Sequence, residues 1–108
     1  MGRKERRISP QTAAVLEHFV ADPRRRSFGR EILLETDIAS GSLYPILINL
    51  EERGMLRSEW ETIDEGLAQR RRRRLYWLDP NGVARARSAL DEYARARAMS
   101  AGLRETYA

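Results

Sequence analysis

Residues 43–54 read Leu-Tyr-Pro-Ile-Leu-Ile-Asn-Leu-Glu-Glu-Arg-Gly, and this stretch decides the fold. Leu43, Leu47 and Leu50 have helical spacing, so they predict one apolar stripe that packs into a core. A Tyr-Pro pair lies in the first turns of this helix, where the missing proline N–H costs least. Gly54 follows in the position where a left-handed residue ends a helix without strain. The segment therefore predicts a short helix followed at once by a strand.

The side of this helix away from the leucines is a candidate surface for reading a DNA groove. Tyr44 could bind a phosphate or a base edge, or it could pack on its own helix. Asn49 could form the bidentate contact with adenine, or it could be an ordinary exposed asparagine. Ser40 and Ser42 could cap the helix and also bind phosphate, since a helix N-terminus favours anions. The candidate DNA-binding residues of this segment are Ser40, Gly41, Ser42, Tyr44, Pro45 and Asn49.

Two helices are predicted before this one. Ser9 as N-cap and Pro10 as the first helical residue open the first helix, and the Asp22-Pro23 pair ends it. Ser27 is expected to cap a second helix over 28–36, and a tight link leads from there into the third. Three short helices in this order indicate a helix-turn-helix.

A β-hairpin is predicted after the three helices. One face of its first strand carries Leu56, Ser58 and Trp60, and one face of its second carries Leu75 and Trp77. Both tryptophans are expected in a core under this hairpin, with a ligand platform at a dimer interface as the alternative. Three helices and a two-stranded wing make a mainly α winged helix-turn-helix over 9–78, preceded by an N-terminal arm over 1–8.

A long C-terminal helix is predicted within the last segment, 79–108. Asp79 as N-cap and Pro80 at the first position start the helix, and Gly102 is expected to end it after Ala101. Small and apolar residues on two of its sides suggest two partners, the chain's own domain and another helix. The helix is therefore expected to form a homodimer interface through Val83, Ala86, Leu90, Tyr93, Ala94 and Arg97.

Arginine dominates the charge of the chain, which has nineteen arginines, one lysine and a net charge of +4. Arginine suits contacts to phosphate and guanine, although a GC-rich genome would also favour it. Within the arginine run 70–74, some members could pair with Glu59 and Glu61 on the opposing strand. The basic groups at 24–26 are expected to be solvated charge. The candidate DNA contacts of the wing are Arg70, Arg71 and Arg72.

The string at 43–54 resembles the Leu-Tyr-Pro-x-Leu-x-x-Leu-Glu-x-x-Gly signature of the PadR family of bacterial winged-helix transcriptional regulators. Residues 28–32 look like the family's aromatic-Gly-x-Glu-Ile, and 73–78 resemble its basic-aromatic strand. Residues 79–82 stand where the family usually has Thr-x-x-Gly. The resemblance implies the winged-helix fold, DNA binding and a short form with one C-terminal helix. One departure is the Ile48-Asn49 pair, where the family usually has basic residues, which implies fewer phosphate contacts.

Other function classes find no support in the sequence. No Ser-His-Asp or Cys-His set, Gly-rich phosphate loop or histidine-carboxylate cluster with metal spacing occurs, so neither an enzyme nor a cofactor is expected. The single histidine, His18, is expected at the surface boundary of the first helix. Cysteine is absent and no apolar run is long enough to span a membrane, so the cytoplasm is the expected location.

The sequence thus predicts a sequence-specific, DNA-binding transcriptional regulator, a repressor that acts as a homodimer on a near-palindromic operator. Its expected partner is double-stranded DNA, and a small-molecule effector that binds between the domains of the dimer could release it. The alternative is a protein-interaction module that keeps the winged-helix scaffold without binding DNA, with Ile48 as an interface residue.

Overall fold

The computed structural model describes residues 7–107, so most of the predicted arm over 1–8 lies outside the described residues. The elements are helix α1 (Pro10–Val20), strand β1 (Ser27–Phe28), helix α2 (Gly29–Thr36), helix α3 (Ser40–Glu52), strand β2 (Leu56–Trp60), the short helix α4 (Glu65–Ala68), strand β3 (Arg74–Leu78), a 3-10 turn (Pro80–Gly82) and helix α5 (Val83–Tyr107). The predicted helices and strands occur in the predicted order, and strand β1 and the short helix α4 are additions to it.

Helix α1 begins where the sequence predicted. The Ser9 side chain accepts a hydrogen bond from the backbone N–H of Thr12. Pro10 follows in the first turn, where no helical partner for an N–H is lost. On the inner side of the helix, Val15, Leu16 and Phe19 are buried in the central core.

The start of helix α2 differs from the prediction. Ser27 does not cap the helix, because it lies in strand β1 and its hydroxyl is bonded to His18. Phe28 is the N-cap instead, and its backbone N–H donates to the Glu31 carboxylate at 3.2 Å. The Glu31 side chain, at the third helical position, therefore binds back to the N-cap backbone, which is the glutamate half of a capping box.

The wing is part of a three-stranded antiparallel sheet, in the order β1-β3-β2. The predicted hairpin gains strand β1, whose Ser27 lies opposite Tyr76. The residues of β3 that enter the core are Tyr76 and Leu78. The expectation that both tryptophans lie under the wing is wrong. Trp77 alternates with these two residues and faces outward, and Trp60 lies at the far end of β2 and is 52% exposed.

Helix α3 packs its three leucines, Leu43, Leu47 and Leu50, into the core with no exposed surface. Its N-cap is Ala39, so the predicted capping by Ser40 and Ser42 is wrong. Pro45 lies inside the helix rather than in its first turn, so the Gly41 carbonyl lacks its usual helical partner. Gly54 has the predicted left-handed conformation, with φ of 76°.

Helix α5 is longer than predicted. Asp79 caps its start as expected, accepting from the Asn81 backbone N–H, but the first turn is 3-10 and the α-helix begins at Val83. The helix then passes through Gly102 and ends at Tyr107. One interior glycine costs only about 1 kcal/mol, too little to end a helix that is otherwise favourable. Near its start, Ala86 and Ala89 are buried in the core against the domain.

Candidate nucleic-acid interface

The outer side of helix α3 is a continuous exposed face. At about 100° per residue, the residues opposite the leucine stripe are Gly41, Pro45, Ile48 and Glu52. All four are exposed, and Ile48 is 53% exposed. Of the other predicted contacts, Ser40 and Asn49 are exposed and Ser42 is half-buried. Sequence reasoning did not include Ile48 and Glu52 among the DNA contacts, although the same helical angle places them at the centre of this face.

Tyr44 is partly packed and partly exposed, and it packs against helix α2 rather than on its own helix. Its side chain is 46% exposed at the edge of the outer face. Its phenol end lies against helix α2, where a Cβ added to Gly29 would lie 2.5 Å from the Tyr44 Oη. The glycine thus allows the close approach of the two helices. Tyr44 therefore packs on the domain with one side of its ring and leaves the remainder accessible.

Helix α3 itself carries no positive charge, since Ser40–Glu52 contains neither lysine nor arginine. Its last turn is tied to the wing by a polar relay. The Ser58 hydroxyl donates to the Glu51 carboxylate, and Arg74 Nε donates to Ser58 Oγ at 3.0 Å. The relay joins the C-terminal end of helix α3 to strands β2 and β3. Because helix α3 has no basic residue, a positive charge that contacts a DNA phosphate would have to lie on the wing or on another segment.

Arg70 does not project freely from the wing. Its guanidinium donates two hydrogen bonds to the Glu61 carboxylate, at 2.6 and 3.1 Å. Glu61 also accepts from the backbone N–H of Arg73. The Arg70 hydrogen bonds, with a smaller contribution from the Arg73 N–H, lower the pKa of Glu61 to about 2. The pairing with Glu61, which the sequence left as the alternative, therefore applies to Arg70.

Arg71 and Arg72 remain exposed at the wing. In the described part of the chain, the Arg71 side chain has no hydrogen-bond or ion-pair partner. Arg72 lies 5.5 Å from the ring centre of Trp60, and its backbone N–H donates to Glu65. The next arginine, Arg73, stacks over Phe28 at 4.1 Å. The two arginines of the run that best fit a phosphate contact are thus Arg71 and Arg72.

The basic loop 24–26 is not simply solvated, as the sequence had suggested. Arg25 pairs with Glu35 at 2.8 Å, and this hydrogen bond is the main reason why the pKa of Glu35 is lowered. Arg26 pairs with Glu59 and stacks on the Trp77 ring at 4.1 Å. Glu59 is therefore engaged by the loop and not by the arginine run of the wing.

His18 is buried, so its expected position at the surface boundary is wrong. It is 7% exposed and lies between two partners, with Nδ1 2.6 Å from Glu35 and Nε2 2.8 Å from Ser27 Oγ. The helical angle alone did not reveal this position because polar partners on α2 and β1 make burial of an imidazole favourable. His18 thus joins helix α1 to helix α2 through Glu35 and to strand β1 through Ser27.

The predicted dimer residues on helix α5 divide into two groups. Ala86 is fully buried in the chain's own core, so it has no surface left for a partner. Val83 and Leu90 are partly buried against that core. Further along the helix, Ala94 and Arg97 are exposed, and Arg97 donates to the Tyr93 hydroxyl at 3.1 Å. The surface available to a second copy therefore lies in the later turns of the helix.

A cleft of about 330 Å³ opens beside these turns, between the start of the described chain and helix α5. Arg7 and Ile8 form one side, and Tyr93, Arg97 and Ser100 are among the residues of the other. Among the side chains that the structure describes, which run from Arg7 to Gly102, no cluster of acidic, histidine or cysteine groups could hold a metal ion. Over the same residues, no helix combines the length and the apolar character needed to cross a bilayer.

Comparisons with known proteins support this architecture. A family model described as the transcriptional regulator PadR-like family matches residues 27–88. No curated protein matches the chain.

Solved structures resemble the fold. A transcriptional regulator homologue from Pyrococcus horikoshii OT3 has a TM-score of 0.64 at 21% identity, covering 88% of this chain and 84% of its own. A PadR-like transcription factor from Bacteroides fragilis has a TM-score of 0.57 at 19% identity, covering 89% and 84%. The circadian clock associated protein Pex from Anabaena has a TM-score of 0.58 at 19% identity, covering 84% and 83%. The predicted winged helix-turn-helix with a long C-terminal helix is confirmed.

Proposed function

This chain belongs to the PadR-like family of transcriptional regulators, and on that premise we propose that it binds double-stranded DNA sequence-specifically as a homodimer and represses transcription. A regulator of this kind acts where the chromosome lies, so we place it in the cytoplasm. The described residues offer a reading helix, a wing with unpaired positive charge and a projecting helix for a second copy. Each of these three parts supports one step of the proposal.

The single observation that carries the proposal is the exposed face of helix α3. A helix that anchors one side with Leu43, Leu47 and Leu50 and leaves the opposite side unpacked has the geometry of a helix that enters the major groove. Membership of a family of transcriptional regulators indicates that the ligand of this face is DNA. The side chains that we expect at base edges are those of Tyr44, Ile48 and Asn49, with Ser40 and Ser42 near phosphates at the helix start.

The wing is expected to supply phosphate contacts. Arg71 and Arg72 are exposed there, in the segment directly before strand β3, which the Glu51–Ser58–Arg74 relay joins to helix α3. Contacts of this type fix the register of a protein on DNA but carry no sequence information. We therefore assign affinity mainly to the wing and sequence discrimination mainly to α3.

Helix α5 supports the homodimer. A helix of 25 residues is about 38 Å long at the usual rise, and only its first turns pack on the domain. The later turns expose Ala94, Ala98 and Met99. The two alanines allow a second helix to approach closely, and Met99 adds apolar surface for it to bury. A two-fold dimer would present two reading helices roughly 34 Å apart, or a multiple of that, on a near-palindromic site.

The dimer is tested by light scattering on a helix α5 variant. We expect Ala94→Glu to give folded monomers, because it places a charge in the interface and removes nothing from the core. Ala84→Glu is the matched control, since Ala84 is exposed on another side of the same helix. Leu90 is a poorer choice because it also packs on the domain. A wild type that is monomeric at micromolar concentration would refute the dimer.

DNA binding is tested by incubating the purified protein with fragments of its genome, sequencing the retained fragments and measuring affinity for the recovered site by fluorescence anisotropy. We expect a near-palindromic operator, bound far more tightly than a random duplex of equal length. Reporter expression with and without the regulator then distinguishes repression from activation. Retention of all fragments alike, or of none, would refute sequence-specific binding.

A second candidate function is a protein-interaction module without DNA binding. The exposed aliphatic side chain of Ile48 on a helix without basic residues favours it. The same fragment experiment separates the two, because an interaction module retains no operator. A small-molecule effector would fit the cleft beside helix α5, whose volume is at the lower end of ligand-binding sites. Release of the operator by such a ligand would be measured in the same anisotropy assay.

A further inference from the structure

The outer face of helix α3 carries exposed aliphatic surface. Ile48 lies opposite the leucine stripe and is 53% exposed. One turn earlier on the same line, Pro45 exposes its apolar ring. Burial would cost these two residues no hydrogen bond, whereas leaving them in water gains nothing. Pro45 and Ile48 therefore form an apolar centre in the middle turns of this face, and the exposed Glu52 carboxylate follows one turn after Ile48.

We propose that Ile48 is a specificity-determining residue that contacts the 5-methyl group of a thymine in each operator half-site. The proposal rests on the DNA-binding function proposed above and names the base feature that helix α3 reads. In the major groove, only a pyrimidine 5-methyl group offers an apolar contact, and side chains without donors or acceptors recognise it. Ile48 has the matching chemistry and an exposed position.

The surroundings of Ile48 fit this ligand better than a protein partner. Its neighbours on the outer face include Asn49 and Glu52, which are polar and exposed. The apolar centre is thus no larger than two side chains, much smaller than the patches that mark protein interfaces. Asn49 lies beside it and has the amide geometry for an adenine. The pair is therefore suited to a site that contains A·T base pairs.

The test uses the recovered operator and replaces one thymine at a time, in both half-sites separately, with deoxyuridine. This change removes the methyl group and keeps the Watson–Crick pairing and the O4 acceptor. At the contacted position we expect wild-type affinity to fall about fourfold per half-site, because a methyl-sized burial is worth about 0.8 kcal/mol and a tenfold change about 1.4 kcal/mol.

The variant Ile48→Ala closes the thermodynamic cycle. It should bind the thymine and deoxyuridine operators equally well at that position, since the side chain that senses the methyl group is gone. Leu34→Ala is the matched control. Leu34 is an exposed aliphatic residue on helix α2, and its loss should leave the fourfold preference for thymine unchanged. Circular dichroism checks that both variants are folded.

A further arm replaces the contacted base pair with C·G or 5-methylcytosine·G. A preference of the wild type for the methylated cytosine, lost in Ile48→Ala, would show that the methyl group itself is recognised. If Ile48→Ala retains the thymine preference at every position, or no thymine matters, the proposal is overturned while DNA binding stands. If no operator is recovered at all, the proposed function fails and this inference fails with it.

Discussion

The wing offers a sharp test because two adjacent arginines have different surroundings. Arg70 is held by two hydrogen bonds to Glu61, whereas Arg71 has no side-chain partner in the described part of the chain. A guanidinium that already neutralises a carboxylate adds little net positive charge near a phosphate. We therefore predict that Arg71→Ala changes the salt dependence of DNA binding. Removal of the Arg70–Glu61 ion pair should leave the salt dependence unchanged.

The size of the effect follows from counterion release. Each phosphate that a protein neutralises on duplex DNA contributes about 0.9 to the slope of log affinity against log salt. A dimer carries two copies of Arg71, so Arg71→Ala should flatten the slope by about 1.8 units. Affinity should fall equally for operator and random DNA, since a phosphate contact carries no sequence information.

The assay is fluorescence anisotropy on both duplexes over a series of KCl concentrations. The control is the double variant Glu61→Gln and Arg70→Gln, which removes the ion pair and leaves the net charge unchanged. Its slope should match that of the wild type. Arg70→Ala alone would be misleading because it leaves the Glu61 carboxylate near DNA without its partner. An equal flattening by the double variant and by Arg71→Ala would refute this division of roles.

Three further predictions concern the domain itself. His18→Ala should lower the free energy of unfolding by about 1–3 kcal/mol, because the buried Ser27 hydroxyl loses its partner; adding Ser27→Ala should recover part of this loss in urea titrations. Gly29→Ala should displace the Tyr44 ring and reduce operator discrimination in anisotropy assays, with the fold retained by circular dichroism. The pKa of the Glu61 carboxyl is lowered in the folded state, so its ionised form stabilises the fold. In urea unfolding, wild type should therefore be more stable than Glu61→Gln above pH 4.5, and this difference should disappear as the pH falls towards 2.

The parts of the fold that local pattern specifies were predictable. Three leucines at helical spacing identified helix α3 and its buried side, and Ser9 with Pro10 marked the start of α1. These features need only neighbours in the chain. The signal is strong because a helix places residues three and four apart on one face.

Several errors arise where a side chain finds its partner outside its own helix or strand. Ser27 was read as a helix cap because its partner, His18, is on another element, and the same contact buries His18. The charge on the wing was predicted only in part: the pairing of the arginine run with Glu61 is found at Arg70, whereas Glu59 pairs with Arg26 instead. Composition shows how many charges exist, and only the fold decides which of them remain available.

The distribution of charge and apolar surface has a consequence for specificity. Helix α3 has no basic residue, so the contacts that we expect from Ile48 and Asn49 do not depend on counterion release. The phosphate contacts that we expect from Arg71 do depend on it, and they act on every DNA sequence alike. Raising the salt concentration should therefore weaken random and operator binding by similar factors, and the ratio between the two should stay nearly constant. A reading helix with basic residues that contact phosphate only on the operator would instead lose discrimination as salt rises.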